Sequence, residues 1–192
     1  MRKIISSLKN TYSSGQDGIS NYILKLTANS LLVPIVHITN LSLKFGVFPS
    51  ALKISKICPI FKSGSEIEVG NYRPIALIST FSKIIEKTVL GRLNSFLDKN
   101  NIIVQSQYGF KAKSSTDLAI LDLTQHVAYQ IESKLLTLGV FVDLSKAFDS
   151  IDHNILFSKL FHYGIRDNAL DWCKSFLKNR SQYVYVNNVN SN

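Results

Sequence analysis

The chain has few cysteines and histidines, and no long apolar run. Its two cysteines, Cys58 and Cys173, are far apart and lack paired-ligand spacing. A zinc site or a disulfide framework is therefore not expected, and no disulfide partner is assigned. Two such thiols suit the reducing interior of a cell, so an intracellular protein is expected, nuclear or cytoplasmic. Histidine is nearly as scarce, and His126, His153 and His162 show no ligand pattern and read as structural. The most apolar early run, LLVPIV at 31–36, is too short to cross a bilayer. The first ten residues are basic but carry no apolar signal core, so neither a signal peptide nor a membrane partner is expected. No internal repeat is present, and low complexity is confined to the Asn-rich stretch 186–192.

Acid is also scarce relative to base. Asp plus Glu total 13 against 22 Lys plus Arg, a formal net charge of +9. That balance favours nucleic acid or another polyanion as partner, although a merely soluble basic protein has the same composition. With 192 residues, 45% of them hydrophobic, the chain can bury a core as one domain, or one plus part of another.

Patterning predicts a mixed α and β order without regular βαβ alternation. Turn chemistry at 13–20 launches helical spacing from Ile19 to Phe45, with Pro34 as a break or first turn and Gly46 as C-cap. A short strand is expected at 55–62, followed by a polar glycine-punctuated hairpin or loop at 62–70. Helices are expected over 80–97, capped by Ser79 or Thr80, and over 116–133, capped by Ser115 or Thr116. Residues 135–143, LLTLGVFVD, suit a buried strand. Helices at 153–163, capped by Asp152, and 168–177, capped by Asp167, precede a half-buried strand at 181–187.

At the end of the expected strand 135–143, Asp143 would share a face with Phe141. An unpaired carboxylate there is costly. A hard cation such as Mg²⁺ relieves that cost, and two such ions clamp an in-line phosphoryl displacement. Local sequence leaves another reading open, in which Asp143 accepts from strand-end N–H groups or pairs with Lys146. Asp149 reads as a turn residue and Asp152 as an N-cap.

Several segments carry a more specific likeness. FVDLSKAFD at 141–149 resembles motif A of reverse transcriptases, in the form found in non-LTR (LINE-like, jockey-like) retrotransposons. In the same order, SGQDGI at 14–19 resembles that family's PGPDGI segment, with Gln16 where proline is usual. GVFPSALK at 46–53 and ICPIFK at 57–62 follow its next block, with Leu52 where tryptophan is common. NYRPIALIS at 71–79, continued by KIIEK at 83–87, resembles its NYRPISLL block. QYGFKAKSST at 107–116 resembles QFGFRxxxST, with Lys111 for arginine. WCKSFLKNRSQYVYV at 172–186 resembles the run between motifs A and B, so the likeness covers about residues 13–189. The wording favours the non-LTR branch over group II intron or bacterial types.

The resemblance implies an α+β partial right-hand polymerase fold. Residues 1–134 would form helical fingers, and 135–192 the start of an antiparallel palm sheet with motif A. The palm would be incomplete and the thumb missing, since neither motif B nor the F/Y-A-D-D aspartate pair occurs in 150–192. Asp143 would be the first catalytic aspartate, binding two Mg²⁺ ions together with the backbone carbonyl of Leu144. Phe148 would be the steric gate against a 2′-OH, with Lys146 and Ala147 near the triphosphate. Arg73 and Lys83 would cradle triphosphate oxygens, and Gln107, Tyr108, Gly109, Phe110, Lys111 and Lys113 would touch the template. The implied partners are an RNA template, a DNA primer and dNTPs. Alone, the chain is expected to be inactive and poorly soluble; the alternative is a non-catalytic nucleic-acid-binding remnant.

Overall fold

The structure, a computed structural model, describes residues 1–144, 147–186 and 189–191. It divides into two compact units, Met1–Leu93 with Asp152–Asn192, and Asn94–Ile151.

The first unit begins with helices α1 (Arg2–Ser6), α2 (Asn21–Leu26) and α3 (Ala28–Phe45). The helical run breaks at Thr27, while Pro34 lies inside α3, contrary to the sequence expectation. The Ser20 side chain caps α2 by accepting from the Ile23 N–H. Gly46 ends α3 at φ 65°, where a side chain would also collide with the Asn168 carbonyl oxygen at 2.9 Å.

Strand β1 (Ile54–Phe61) is the strand expected at 55–62, and it forms a hairpin with β2 (Tyr72–Leu77), a strand that the sequence patterning did not indicate, with Pro59 opposite Pro74. Strand β3 (Ser181–Val186) pairs in parallel with β1 from Ile54↔Ser181 to Ile57↔Val184, and two-residue β4 (Val189–Asn190) completes the order β2-β1-β3-β4. Pro59 lies past the end of the β1–β3 pairing, so its missing N–H leaves no gap in that ladder.

Helix α4 (Thr80–Lys99) places Ile84 and Ile85 in two different cores. Ile84 joins Ile5, Leu8, Leu24 and Ile35. Ile85 joins Phe48 and Trp172, the latter from α7 (Asp167–Leu177). Phe48 meets Trp172 edge-on at 5.6 Å, and Phe176 stacks on Trp172 at 5.3 Å. Ser42 Oγ accepts from Trp172 Nε1 at 2.9 Å and donates to the Val47 carbonyl at 2.6 Å, so the buried indole N–H is satisfied. Asp152 caps α6 (His153–His162) by accepting from the Asn154 and Ile155 N–H groups. Asp167, expected as the cap of α7, is its first residue, and Arg166 occupies the cap position.

The second unit contains α5 (Thr116–Glu132), capped by Ser115 through the Leu118 N–H. The strand expected at 135–143 does not form: residues 135–144 are irregular and exposed throughout. Apolar alternation yields a strand only when a neighbouring strand satisfies its N–H and C=O groups, and no described segment pairs with this one. The expected antiparallel palm sheet is thus not what these residues build; the sheet present is mixed and lies in the first unit.

Candidate functional site

The motif segments of the first unit are held by packing and hydrogen bonds. The 14–20 loop docks on the start of α4. Ser79 Oγ donates to Asp17 Oδ2 at 2.5 Å, and Thr80 Oγ1 donates to the Ile19 carbonyl and to Asn21 Oδ1. Gly15 lies so close that an added Cβ would meet the Ser79 nitrogen at 2.6 Å. In the hairpin, Asn71 Nδ2 donates to the Ser65 carbonyl at 2.9 Å and the Tyr72 hydroxyl to the Glu66 carbonyl at 2.9 Å. Tyr72 also meets Phe61 edge-on at 5.5 Å. Asn71 and Tyr72 thus shape the turn, leaving the neighbouring Arg73 exposed on β2.

Lys83 is half-buried on α4, at an apolar groove of about 530 Å³ lined partly by Leu90, Leu93, Leu160 and Phe176. Glu86 lies in the same groove. Burial raises its carboxyl above the ordinary value, opposed by the Ser82 hydrogen bond at 2.7 Å and by the charges of Arg180 and Lys83. Burial likewise raises the Cys173 thiol. Cys58 and Cys173 are both free.

The other expected site residues lie in the second unit. Phe110 and Phe148 meet edge-to-face, ring centroids 5.8 Å apart at 90°, although they are 92% and 74% exposed. Sequence reasoning assigned these rings to template and to gate, without foreseeing that they touch. Gln107 Nε2 donates to the Gly109 carbonyl at 3.2 Å, bridging the turn. The Tyr108 hydroxyl donates to Asp122, and that bond holds its pKa above the ordinary value. Phe110 and Lys113 both adopt left-handed backbone, at φ 59° and 61°. Lys111 is half-buried and Lys113 exposed. Ala147 begins a turn, and its carbonyl accepts from Ser150 Oγ at 3.3 Å. Lys146 lies outside the described residues. Asp143 and Leu144 are exposed, so the desolvation cost argued from a buried strand end does not arise. Asp149 sits in the 147–150 turn, as expected.

A family profile, reverse transcriptase (RNA-dependent DNA polymerase), matches residues 60–191. The chain belongs to the reverse transcriptase family. Among its relatives, "Probable RNA-directed DNA polymerase from transposon BS" of Drosophila melanogaster is 33% identical over 191 residues, covering 96% of this chain and 20% of that protein. "RNA-directed DNA polymerase from mobile element jockey", also of Drosophila melanogaster, is 29% identical over 192 residues, covering 100% of this chain and 21% of its own length. A Xenopus laevis relative, "Transposon TX1 uncharacterized 149 kDa protein", is 23% identical over 176 residues, 91% of this chain and 13% of its own length. The chain spans about a fifth of the length of the two Drosophila relatives.

For a reverse transcriptase, the oxygen donors of Asp143 and Leu144 suit a hard cation in kind. They do not suffice in number. Among the described residues, no group of three or more His, Cys, Asp or Glu side chains is placed to hold a metal ion. A two-ion centre needs more than one carboxylate, so these residues do not form it by themselves. No described helix is long and apolar enough to cross a membrane.

Proposed function

We propose that the chain is part of an intracellular RNA-directed DNA polymerase of a non-LTR retrotransposon, contributing the fingers and the motif A portion of the palm. The family match over residues 60–191 carries this reading. In it, Arg73 and Lys83 offset triphosphate charge, and Lys146 and Ala147 bring backbone close to the phosphates. Phe148 crowds the sugar 2′ position, and the Gln107–Lys113 segment contacts the RNA template through its rings and cations. Asp143 and the Leu144 carbonyl would be the ligands offered to Mg²⁺, which when bound would neutralise phosphate charge. Completing the metal centre requires carboxylates that the described residues do not bring to Asp143. The finer architecture of the proposal is a right-hand fold to which these residues contribute the fingers and the first part of the palm.

The test is primer extension by a chimera in which residues 1–192 replace the matching fifth of the jockey polymerase. The chimera is expected to incorporate dNTPs on an RNA template, while the 192-residue chain alone does not. An inactive chimera that folds and binds primer–template would overturn the catalytic reading. The basic excess, 22 Lys plus Arg against 13 Asp plus Glu, supports a second reading, a nucleic-acid-binding remnant without catalysis. That reading fails if the 192-residue chain shows no salt-dependent affinity for RNA or DNA.

A further inference from the structure

A surface helix with one packing partner carries one apolar stripe. Helix α3 carries a second. Its inward face is taken up by the first unit: Ile35, Thr39 and Ser42 are buried, and Ser42 Oγ accepts from Trp172 Nε1. Beside that face Leu31, Pro34, Ile38, Leu41 and Phe45 follow one another at alternating intervals of three and four residues. This is the heptad spacing by which helices pair along a seam. Pro34, Ile38, Leu41 and Phe45 are exposed, Ile38 by 50% and Phe45 by 64%. Pro34 and Ile38 also border a cavity of about 360 Å³, walled in part by Leu52, Phe81 and Ile85 and by no charged side chain. Of the eighteen residues of α3, Lys44 alone carries a fixed charge, and its ammonium lies 5.7 Å from the centre of the Phe45 ring.

We propose that this stripe is a self-association surface, on which a second copy of the chain packs its own α3 antiparallel across a two-fold axis near Ile38. Charge selects the occupant. The chain has a net charge of +9, so two copies repel each other wherever their cationic surfaces meet. On the uncharged stripe they approach without that penalty. A two-fold axis across the stripe at Ile38, its middle residue, sends the two helices in opposite directions. Each Lys44 then stands about 9 Å along the helix from the axis, and the two about 18 Å apart. That exceeds the screening length of about 8 Å, whereas a parallel pair would set the two lysines side by side. The antiparallel order also opposes the two helix dipoles. In the pair, apolar side chains of one copy cover the cavity beside Ile38 of the other. The stripe offers a phosphate backbone no counter-charge, which argues against nucleic acid here. It argues equally against a membrane surface, because helices that lie on membranes carry a Lys- and Arg-rich polar face, and α3 has Lys44 alone. One helix seam lies at the small end of interface sizes, so the association is weak and reversible. The inference is independent of the polymerase reading.

The test is sedimentation velocity on the 192-residue chain, which is expected to show a monomer–dimer equilibrium with a Kd on the order of 10 µM. Ile38→Glu and Ile38→Lys are each expected to weaken it by about tenfold or more, because each sets two like charges against one another at the axis. Ile38 is half exposed, so the circular dichroism of both variants should match the parent. Mixing the two variants is expected to restore a dimer, since Ile38 then meets the opposite charge across the axis. Under mild oxidation, Ile38→Cys is expected to form an intermolecular disulfide beyond any that the parent forms through Cys58 and Cys173. Lys44→Cys is expected to form none, because about 18 Å is far outside disulfide reach. A chain that stays monomeric, variants that dimerise like the parent, a mixture that restores nothing, or a Lys44→Cys link in preference to the Ile38→Cys link would each overturn the proposal. The chimera separates the remaining occupant. A monomeric chimera in which Ile38→Cys is shielded from a maleimide dye would assign the stripe to the rest of the polymerase and overturn self-association.

Discussion

The two units put family motifs to opposite uses. In the first, motif residues and their neighbours are absorbed by packing: Phe48 is 1% exposed, Trp172 is 4% exposed, and Thr80 and Ser82 are fully buried. In the second, no described residue from Asn94 to Ile151 is buried, although the segment includes the QYGFK block and motif A. Its order rests on local devices: a Ser115 cap, the Tyr108–Asp122 hydrogen bond and the Phe110–Phe148 ring contact. Motif residues that pack are explained from within the molecule. Exposed ones that pack on little are explained by what they meet outside it, and that is where the proposed chemistry lies.

The sharpest separation of the two uses is expected at Asp143. Asp143→Asn in the chimera should lower primer extension by on the order of a thousandfold or more. Because Asp143 is exposed, the variant's thermal stability should stay within about 0.5 kcal/mol of the parent. A loss of stability comparable to the loss of activity would instead make Asp143 structural. Trp172→Ala should do the reverse, costing about 3–5 kcal/mol in urea denaturation followed by far-ultraviolet circular dichroism. Leu136→Ser, on the exposed 135–144 stretch, should change that midpoint little; a large shift would show that the stretch packs after all. Phe148→Val in the chimera should reduce discrimination against ribonucleotides by about ten- to a hundredfold. Unchanged discrimination there removes the gate assignment.

Smaller effects test the polar details of the packed unit. Ser42→Ala leaves Trp172 Nε1 and the Val47 carbonyl without their shared partner, and should cost about 1–3 kcal/mol. Glu86 gives the smallest effect and fixes its sign. Its folded pKa is raised, so the unfolded chain gives up this proton first as pH rises. Glu86 therefore lowers stability as pH climbs from the ordinary glutamate value through the raised one, and the cost is complete above it. Glu86→Gln keeps an acceptor for Ser82 and should flatten that part of the stability profile. An unaltered profile would place the titration elsewhere.

Much of the first unit was legible because its signals are local. Helical spacing, the Asp152 cap and the Gly46 terminus depend on residues within one turn, and they fell where expected, as did the Ser115 cap in the second unit. Asp167 was misplaced by a single residue, the ordinary uncertainty of a helix end. Strand β2 lay hidden in a block read for its motif, and nothing local to SQYVYV says that β3 runs parallel to β1. The larger error was at 135–143, where β-propensity was right about composition and silent about a partner. For the site, sequence supplied residue types and order but not proximity. The Phe110–Phe148 contact joins residues far apart in the chain and leaves no periodic trace.

Trp172 is the only tryptophan in the chain, and it is enclosed by Phe48, Phe176 and Ser42 in the first unit. Intrinsic fluorescence is therefore a one-sided instrument here. Its emission will follow the melting of residues 1–93 and 152–192, the unit whose core it occupies. A transition seen by tryptophan and one seen by a dye attached near Asp143 would be two separate thermometers for the same chain. Their agreement or divergence would measure directly whether the two units unfold together.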